Sequence, residues 1–108
     1  MSKKKKKFTG HGNQNENPKL HHLYEIIDTV DGDTFKHGIS ADEIGEDRYS
    51  KRMREQVTLG NLFVGWIRFF ARVLVKNISG RKKAKQIERE YVSDYEQKHG
   101  RRPRGNRE

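Results

Sequence analysis

One glutamate in the second half of the chain lies where the sequence predicts apolar neighbours. Residues 81–99 carry apolar side chains at helical spacing. At about 100° per residue, Glu88 falls about 40° from Ala84, inside the apolar stripe, whereas Glu90 points to solvent. A buried charge without a partner is costly, so this carboxylate must be paired, protonated or bound to a metal ion. Glu88 is therefore a candidate metal ligand, and the alternative is a structural salt bridge with a nearby arginine.

A second group of side chains with useful chemistry lies on a predicted β-hairpin, where two β-branched and aromatic runs flank an Asp-Gly pair. A three-residue loop, Asp31–Asp33, would pair Tyr24 with Ser40. It would also place Lys36 on the same face of the sheet as Tyr24. A two-residue loop would instead place His37 on that face. A hydroxyl, an ammonium or an imidazole at this place could move a proton or hold an anion.

A short helix after the hairpin carries two candidate phosphate ligands. Ser50 is a suitable N-cap for a helix that runs to Val57, followed by a connection over residues 59–66. Arg52 and Arg54 lie about 100° to either side of the apolar face of this helix. A guanidinium fork matches the geometry of a phosphate, but helix geometry alone does not choose between the two arginines.

The remaining elements complete a small mixed fold. From Ile67 to Val75 apolar residues alternate with a period of two, which predicts a third strand. Residues 77–80 are predicted to turn the chain, and residues 81–99 form a helix that Gly100 ends. The expected fold class is α+β, with a three-stranded antiparallel sheet flanked by helices.

The start of the chain differs from the rest in composition. Residues 1–20 are basic and polar, and we expect a disordered leader or linker before a folded domain at residues 21–108. His21 and His22 point to opposite faces of a strand, so we expect them at the surface rather than on one metal ion. Cysteine is absent, which excludes disulfides and cysteine-ligated zinc. We expect no membrane span and no secretory signal, because no apolar run approaches roughly 20 residues.

Charge is unevenly distributed along the 108 residues, which carry a formal net charge of +9. Residues 24–50 contain eight acidic and two basic side chains, whereas residues 51–108 contain sixteen basic and six acidic ones. A basic surface of this kind attracts phosphate backbones. Nucleic acid is the expected partner, and the alternatives are solubility alone or an acidic protein partner.

Several motifs together resemble the GIY-YIG nuclease superfamily over about residues 22–106. Leu23-Tyr24 resembles the first signature strand, and Lys36-His37-Gly38 stands where the family has Tyr-Ile-Gly, with lysine in place of the second tyrosine. Lys51-Arg52-Met53 resembles the arginine helix of the family, which favours Arg52 over Arg54. The helix that contains Glu88 resembles the one that carries the metal-binding glutamate.

The resemblance implies a role for each matching residue. Glu88 would hold one Mg²⁺ or another divalent cation, and Arg52 would grip the scissile phosphate. Tyr24 would take or relay the proton of the attacking water, Lys36 would assist it, and His37 is the reserve acid or base. The residues expected to contact nucleic acid are Arg54, Lys82, Lys83 and Asn106.

The predicted function is that of a metal-dependent endonuclease that hydrolyses DNA, with RNA as the alternative substrate. The chain also resembles the nuclease tips of bacterial polymorphic toxins, such as those on Rhs proteins. That likeness implies delivery by a larger carrier, action in the bacterial cytoplasm and an immunity protein, acidic by charge complementarity. The competing hypotheses are a non-catalytic basic nucleic-acid-binding module and a protein-interaction domain.

Overall fold

The computed structural model describes residues 19–106, which form a three-stranded antiparallel sheet with two helices. The expected α+β fold class is confirmed. The sheet has the order β2-β1-β3, so β1 is its central strand. In chain order the elements are β1 (Leu20–Asp28), β2 (Asp33–Ser40), α1 (Lys51–Val64), β3 (Phe69–Ser79) and α2 (Arg81–His99).

The two helices cover opposite faces of the sheet. On one face, Met53 and Val57 of α1 pack against Tyr24 and Ile26 of β1. On the other face, Ala84 of α2 packs in a separate cluster, together with Leu23, Ile39 and Ile78 of the strands. Alternate side chains of β1 therefore enter different halves of the core, as the period of two requires.

The hairpin register differs from the predicted one. Tyr24 lies opposite Gly38 rather than Ser40, and the connecting loop spans residues 29–32. Phe35 is left without a partner because the register shifts beside it. The expectation that Lys36 shares the face of Tyr24 is nevertheless confirmed, since Lys36 lies opposite Ile26 of the same face.

The first helix is longer than predicted and runs to Val64, so the predicted connection over residues 59–66 is mostly helix. Gly60 lies inside this helix, where the Phe69 ring packs directly against its backbone. A methyl group at this position would lie 2.9 Å from that ring, so a residue without a side chain fits here. The side-chain oxygen of Asn61 accepts hydrogen bonds from the backbone N–H groups of Arg68 and Phe69. These contacts join α1 to the start of β3 across the turn between them, and helix propensity does not report them.

Three other boundaries can be compared with the prediction. Ser50 is the N-cap of α1 and Gly100, with φ of 75°, ends α2, both as expected. The predicted turn at residues 77–80 is wrong for residues 77–79, which belong to β3. The predicted leader lies outside the described residues up to residue 18, and its last residue, Leu20, begins β1.

The prediction that His21 and His22 lie at the surface is wrong. Their side chains are 2% and 3% exposed, because a central strand covered on both faces buries alternate residues in both directions. His22 Nε2 is hydrogen-bonded to Ser50 Oγ at 3.0 Å, and His21 Nδ1 to the Lys19 carbonyl at 2.7 Å. His22 thus supports the N-cap of α1.

A cluster of ion-paired side chains lies at the end of the sheet beside the hairpin loop, and we call it the hairpin end. It consists of Asp28, Asp33, Arg68, Arg101 and Arg104. Asp28 is fully buried and receives two hydrogen bonds from Arg68, at 2.9 and 2.8 Å, and one from Arg104 at 3.1 Å. Hydrogen bonds from Arg68 hold the pKa of Asp28 well below its usual range. The negative charge of Asp28 is therefore compensated by the two arginines bonded to it.

Candidate active site

An open pocket of about 460 Å³ lies at the β2 edge of the sheet, at the opposite end of β1 from the hairpin loop. Four residues singled out in the sequence line it together, namely Tyr24, Lys36, Arg52 and Glu88. They come from two strands and from both helices. The basic side chains of its lining are Lys19, Lys36, Lys51, Arg52, Arg81 and Lys85, and the acidic ones are Asp42, Glu55 and Glu88. An excess of positive charge in a concave site favours an anionic ligand.

The position of Tyr24 depends on the glycine opposite it. A methyl group at Gly38 would lie 2.5 Å from Cζ of the Tyr24 ring, so the ring lies directly over the glycine backbone. The Tyr24 hydroxyl donates a hydrogen bond of 2.7 Å to Oε1 of Gln56, one turn beyond Arg52 on α1. Strand pairing and one helix contact therefore fix this hydroxyl at the inner end of the pocket.

The hydroxyl of Tyr24 keeps its proton at neutral pH. Burial raises the pKa of Tyr24 above its ordinary value, and the positive charge of nearby Arg52 opposes that rise. Since the hydroxyl donates its hydrogen bond to Gln56, its oxygen can only accept further ones, and the neighbouring Arg52 guanidinium is one such donor. A protonated tyrosine held in this way can orient a water molecule or a phosphate oxygen.

The structure separates the two arginines of α1. Arg52 lies in the open pocket, and its backbone N–H donates to Asp42 at 3.2 Å, which ties the first turn of α1 to the loop before it. Arg54 instead forms a bidentate pair with Asp47, with two contacts of 2.9 Å, away from the pocket. Geometry therefore makes Arg52 the arginine of the site.

Glu88 lies on the side of α2 next to the β2 edge of the sheet, where it lines the pocket. Burial raises the pKa of Glu88 above its ordinary value, and the charges of Lys85, Lys36 and Arg81 oppose that rise. Within residues 19–106, no side chain forms an ion pair or hydrogen bond with its carboxylate. None of the arginines between residues 19 and 106 forms the structural salt bridge that was the alternative for Glu88.

His37, the reserve acid or base, is not brought to this pocket. It lies opposite Glu25, on the other face of the sheet from Tyr24, and is 5% exposed. Its ring packs edge-on against Tyr91 of α2, and its Nδ1 has no hydrogen-bond partner among the described atoms. Burial lowers the pKa of His37, so it is neutral at neutral pH.

The residues predicted to contact nucleic acid lie in different places. Lys82 and Lys83 are exposed on another part of α2, outside the pocket. Asn106 accepts a hydrogen bond from the His37 backbone N–H at 2.7 Å and donates to the His37 carbonyl at 2.9 Å. Asn106 thus caps the outer edge of β2, and its contact with nucleic acid stays a prediction.

Comparison with protein families adds an independent observation. Residues 13–100 match the family described as URI fold toxin 2, and this range includes all five elements of the fold. The chain belongs to this family. Comparison with curated proteins and with solved structures gave no significant match. The expectation of a toxin domain is confirmed, whereas its nuclease activity stays a prediction.

Several pocket residues of this toxin domain were not singled out in the sequence. Gln56 is not among the lining residues of the open pocket, but its side chain reaches the Tyr24 hydroxyl from α1. Arg81 and Lys85 precede Glu88 by seven and three residues, the spacing of one helix face, and that signal could have found them. Asp42 lies in an irregular loop, for which the sequence offers no comparable signal.

The pocket suits a hard divalent cation. Glu88 is half-buried with a raised pKa, and Asp42 lines the same pocket. No group of three or more His, Cys, Asp or Glu side chains that could hold a metal is found among residues 19–106. Mg²⁺ commonly binds through one or two carboxylates, with water and substrate phosphate oxygens as its other ligands.

In the described part of the toxin domain, neither helix is long and apolar enough to cross a membrane.

Proposed function

We propose that this toxin domain is a metal-dependent endonuclease that hydrolyses phosphodiester bonds of DNA, with RNA as the alternative substrate. One observation carries the proposal: Tyr24, Lys36, Arg52 and Glu88 line a single open, basic pocket. Their order along the chain also matches the GIY-YIG resemblance. A purely binding module would have no use for a half-buried carboxylate that pairs with no cation of residues 19–106.

Substrate binding follows from the cations of the pocket. The Arg52 guanidinium can form a bidentate contact with the scissile phosphate, and Lys36 adds a second positive charge on the same side. Lys51 lines the same pocket beside Arg52 and adds a further positive charge at the start of α1. These contacts would strengthen as negative charge develops on the phosphoryl oxygens.

The attacking water would be oriented by the tyrosine. Because the Tyr24 hydroxyl donates its hydrogen bond to Gln56, its oxygen can accept a hydrogen bond from water. Lys36 lies on the same face and can stabilise the hydroxide that forms. Attack of the water oxygen would form a new bond to phosphorus and break the bond from phosphorus to the leaving oxygen. The proton of the water would pass to bulk solvent through the open side of the pocket, and the leaving oxygen would take a proton from the same solvent.

Glu88, with Asp42 available beside it, would hold the divalent ion, which supplies Lewis-acid stabilisation of the phosphate and of the leaving oxygen. The carboxylate must be ionised for this role. The raised pKa of Glu88 therefore predicts that activity falls on the acid side at a higher pH than for an exposed glutamate.

The test is cleavage of supercoiled plasmid and of an RNA transcript with Mg²⁺, and with a chelator in its place. We expect cleavage by the wild type with Mg²⁺ and none with the chelator. Glu88→Gln keeps the shape of the side chain and removes its charge, and we expect a loss of at least about 100-fold. Glu90→Gln is the matched control, since Glu90 is exposed on the same helix and lies outside the pocket.

Two results would contradict the proposal. Cleavage by Glu88→Gln at the wild-type rate would remove the metal role of the residue. Binding of nucleic acid without any cleavage, over a series of divalent cations, would favour the non-catalytic module. In cells, we expect expression of the wild type to arrest bacterial growth and Glu88→Gln to be tolerated.

The proposal includes the setting in which a toxin domain works. A nuclease of this kind would act in the bacterial cytoplasm after delivery by a larger carrier. The producing cell would need an immunity protein, and the basic pocket favours an acidic one. Co-purification of the toxin domain with such a protein, and loss of cleavage in that complex, would test this part.

A further inference from the structure

A second, apolar cavity lies next to the open pocket, and we call it the apolar groove. It has a volume of about 740 Å³ and lies between the second half of α1, the start of β2 and the tail after α2. Its aromatic side chains are Phe35, Phe63 and Phe69. The Phe35 and Phe69 rings are 5.1 Å apart between centroids and form one wall. Phe63 lines the groove from α1.

Phe63 is 91% exposed, and Leu59, one turn before it, is 67% exposed. Both project from α1 on the groove side rather than into the core. A phenylalanine held in solvent contributes nothing to the core of the domain. Such a side chain typically marks a binding surface.

The groove adjoins the open pocket. Lys36 lines both cavities, and Gln56, which accepts the Tyr24 proton, lines the groove. A nucleotide next to a phosphate held in the open pocket can therefore reach the groove on the side of Lys36.

The charges of the groove indicate the chemistry of its occupant. No acidic residue lines the groove, and three basic residues do. Arg68 and Arg104 are ion-paired with the buried Asp28, and Lys36 is shared with the open pocket. The Arg104 guanidinium lies 5.6 Å from the centroid of the Phe35 ring. Aromatic faces interleaved with cations are typical of sites that stack bases and hold the phosphates between them.

We propose that the apolar groove binds an unpaired nucleobase next to the phosphate held in the open pocket. A base can enter between Phe35 and Phe63 only when it leaves the duplex stack. The substrate is therefore nucleic acid that is single-stranded or unpaired beside the cleavage point. This inference rests on the proposed nuclease function, because the groove is defined relative to the scissile phosphate.

The test measures binding rather than cleavage, in the full chain carrying Glu88→Gln. A short single-stranded oligonucleotide with one 2-aminopurine is compared with the same strand in a duplex. We expect the single strand to bind more tightly and its 2-aminopurine fluorescence to be quenched by stacking. Adding Phe63→Ala should weaken single-strand binding by about tenfold, the effect of one lost stacked base, and should abolish the quenching.

Leu62→Ala is the matched control, because Leu62 is 72% exposed on the same helix but does not line the groove. It should bind like the Glu88→Gln parent. Since Phe63 is almost fully exposed, its replacement leaves the core intact, and circular dichroism verifies the fold.

The outcomes separate the two proposals. If the wild type cleaves but Phe63→Ala neither weakens single-strand binding nor alters the quenching, the groove assignment is wrong and the nuclease function stands. If Phe63→Ala instead abolishes binding of the immunity protein and leaves the oligonucleotide unaffected, the groove is a protein-docking surface. If the wild type cleaves nothing with any divalent cation, the nuclease proposal fails, whereas quenching that depends on Phe63 would still support base binding.

Discussion

The hairpin end and the open pocket both contain a carboxylate close to arginine and lysine, yet the fold treats the two carboxylates in opposite ways. Asp28 is fully buried and bonded to Arg68 and Arg104, and its pKa is lowered. Glu88 is half-buried without an ion pair to a described residue, and burial raises its pKa. Both carboxylates lie near positive charge, so charge alone does not explain the opposite pKa shifts. The two differ in direct hydrogen bonds from arginine, which Asp28 receives.

The difference separates a structural ion pair from a candidate binding site. A buried carboxylate with several charged donors stabilises the native state at neutral pH and cannot accept a further cation without losing them. A carboxylate held near cations without direct contact is poised for a ligand that brings its own charge. Each prediction below changes one side of this comparison and uses the other side as its control.

The largest expected effect is at the glycine under Tyr24. Gly38→Ala should lower cleavage per folded molecule by about 100-fold, because the added methyl group displaces the Tyr24 ring. Gly32→Ala, in the hairpin loop at φ of 72°, meets no atom within 4 Å and should only destabilise the loop, by about 1 kcal/mol. Plasmid cleavage and urea unfolding of both variants test this prediction. Wild-type cleavage by Gly38→Ala would contradict the placement of Tyr24.

The next effect concerns stability. Asp28→Asn should cost about 2–3 kcal/mol of unfolding free energy, because the charged hydrogen bonds from Arg68 and Arg104 are lost. The melting temperature should fall by about 10–20 °C. Glu88→Gln should leave stability unchanged or raise it, since a desolvated charge is removed. Equal destabilisation by both variants would remove the distinction between the two carboxylates.

A smaller effect is expected at two tyrosine hydroxyls. Gln56→Leu removes the side chain that accepts a hydrogen bond from the Tyr24 hydroxyl. Because one orienting hydrogen bond is lost, kcat should fall about tenfold with little change in stability. At the hairpin end, Tyr95 donates to Asp33 at 2.6 Å. Tyr95→Phe should cost about 1 kcal/mol of stability and leave kcat unchanged. A Gln56→Leu variant with the wild-type kcat would show that this hydrogen bond does not orient the hydroxyl for catalysis.

The smallest expected effect is a pH dependence of opposite sign for the two carboxylates. The folded-state pKa of Asp28 is lowered, so its stabilisation is complete above the unfolded value near 3.9 and is lost as pH falls below it. The folded-state pKa of Glu88 is raised, so the cost of its charge is present at pH 7 and is relieved as pH falls toward about 4.3.

Urea unfolding in chelator between pH 7 and pH 3 measures both dependences. The advantage of Glu88→Gln over the wild type should shrink between pH 7 and about pH 4. The deficit of Asp28→Asn should stay constant over that range and shrink only at lower pH. Parallel curves for Glu88→Gln and the wild type would mean that Glu88 is not desolvated.

Much of the fold could be predicted because it follows from local rules. The alternation of β3, the N-cap at Ser50 and the helix from residue 81 to Gly100 depend on neighbours in sequence. The length of α1 could not be predicted, because Gly60 and Asn61 break the helical pattern locally. They are explained only by contacts with Phe69 on β3.

The candidate site shows the same division. The helical spacing alone marked Glu88, and the shared face of Tyr24 and Lys36 followed from an assumed loop whose length was wrong. A register shift beside Phe35 restored that face, which the sequence does not indicate. The selection of Arg52 by resemblance agrees with its place in the pocket, whereas His37 lies on the other face.

By itself, the sequence determined which residue types were available and how each lies on its own strand or helix, because dihedral preferences and side-chain periods act over a few residues. The tertiary structure decided which of them share a pocket, which carboxylate is neutralised and which histidines are buried. Those outcomes depend on strand order and on burial, which are set by contacts between residues far apart in the chain.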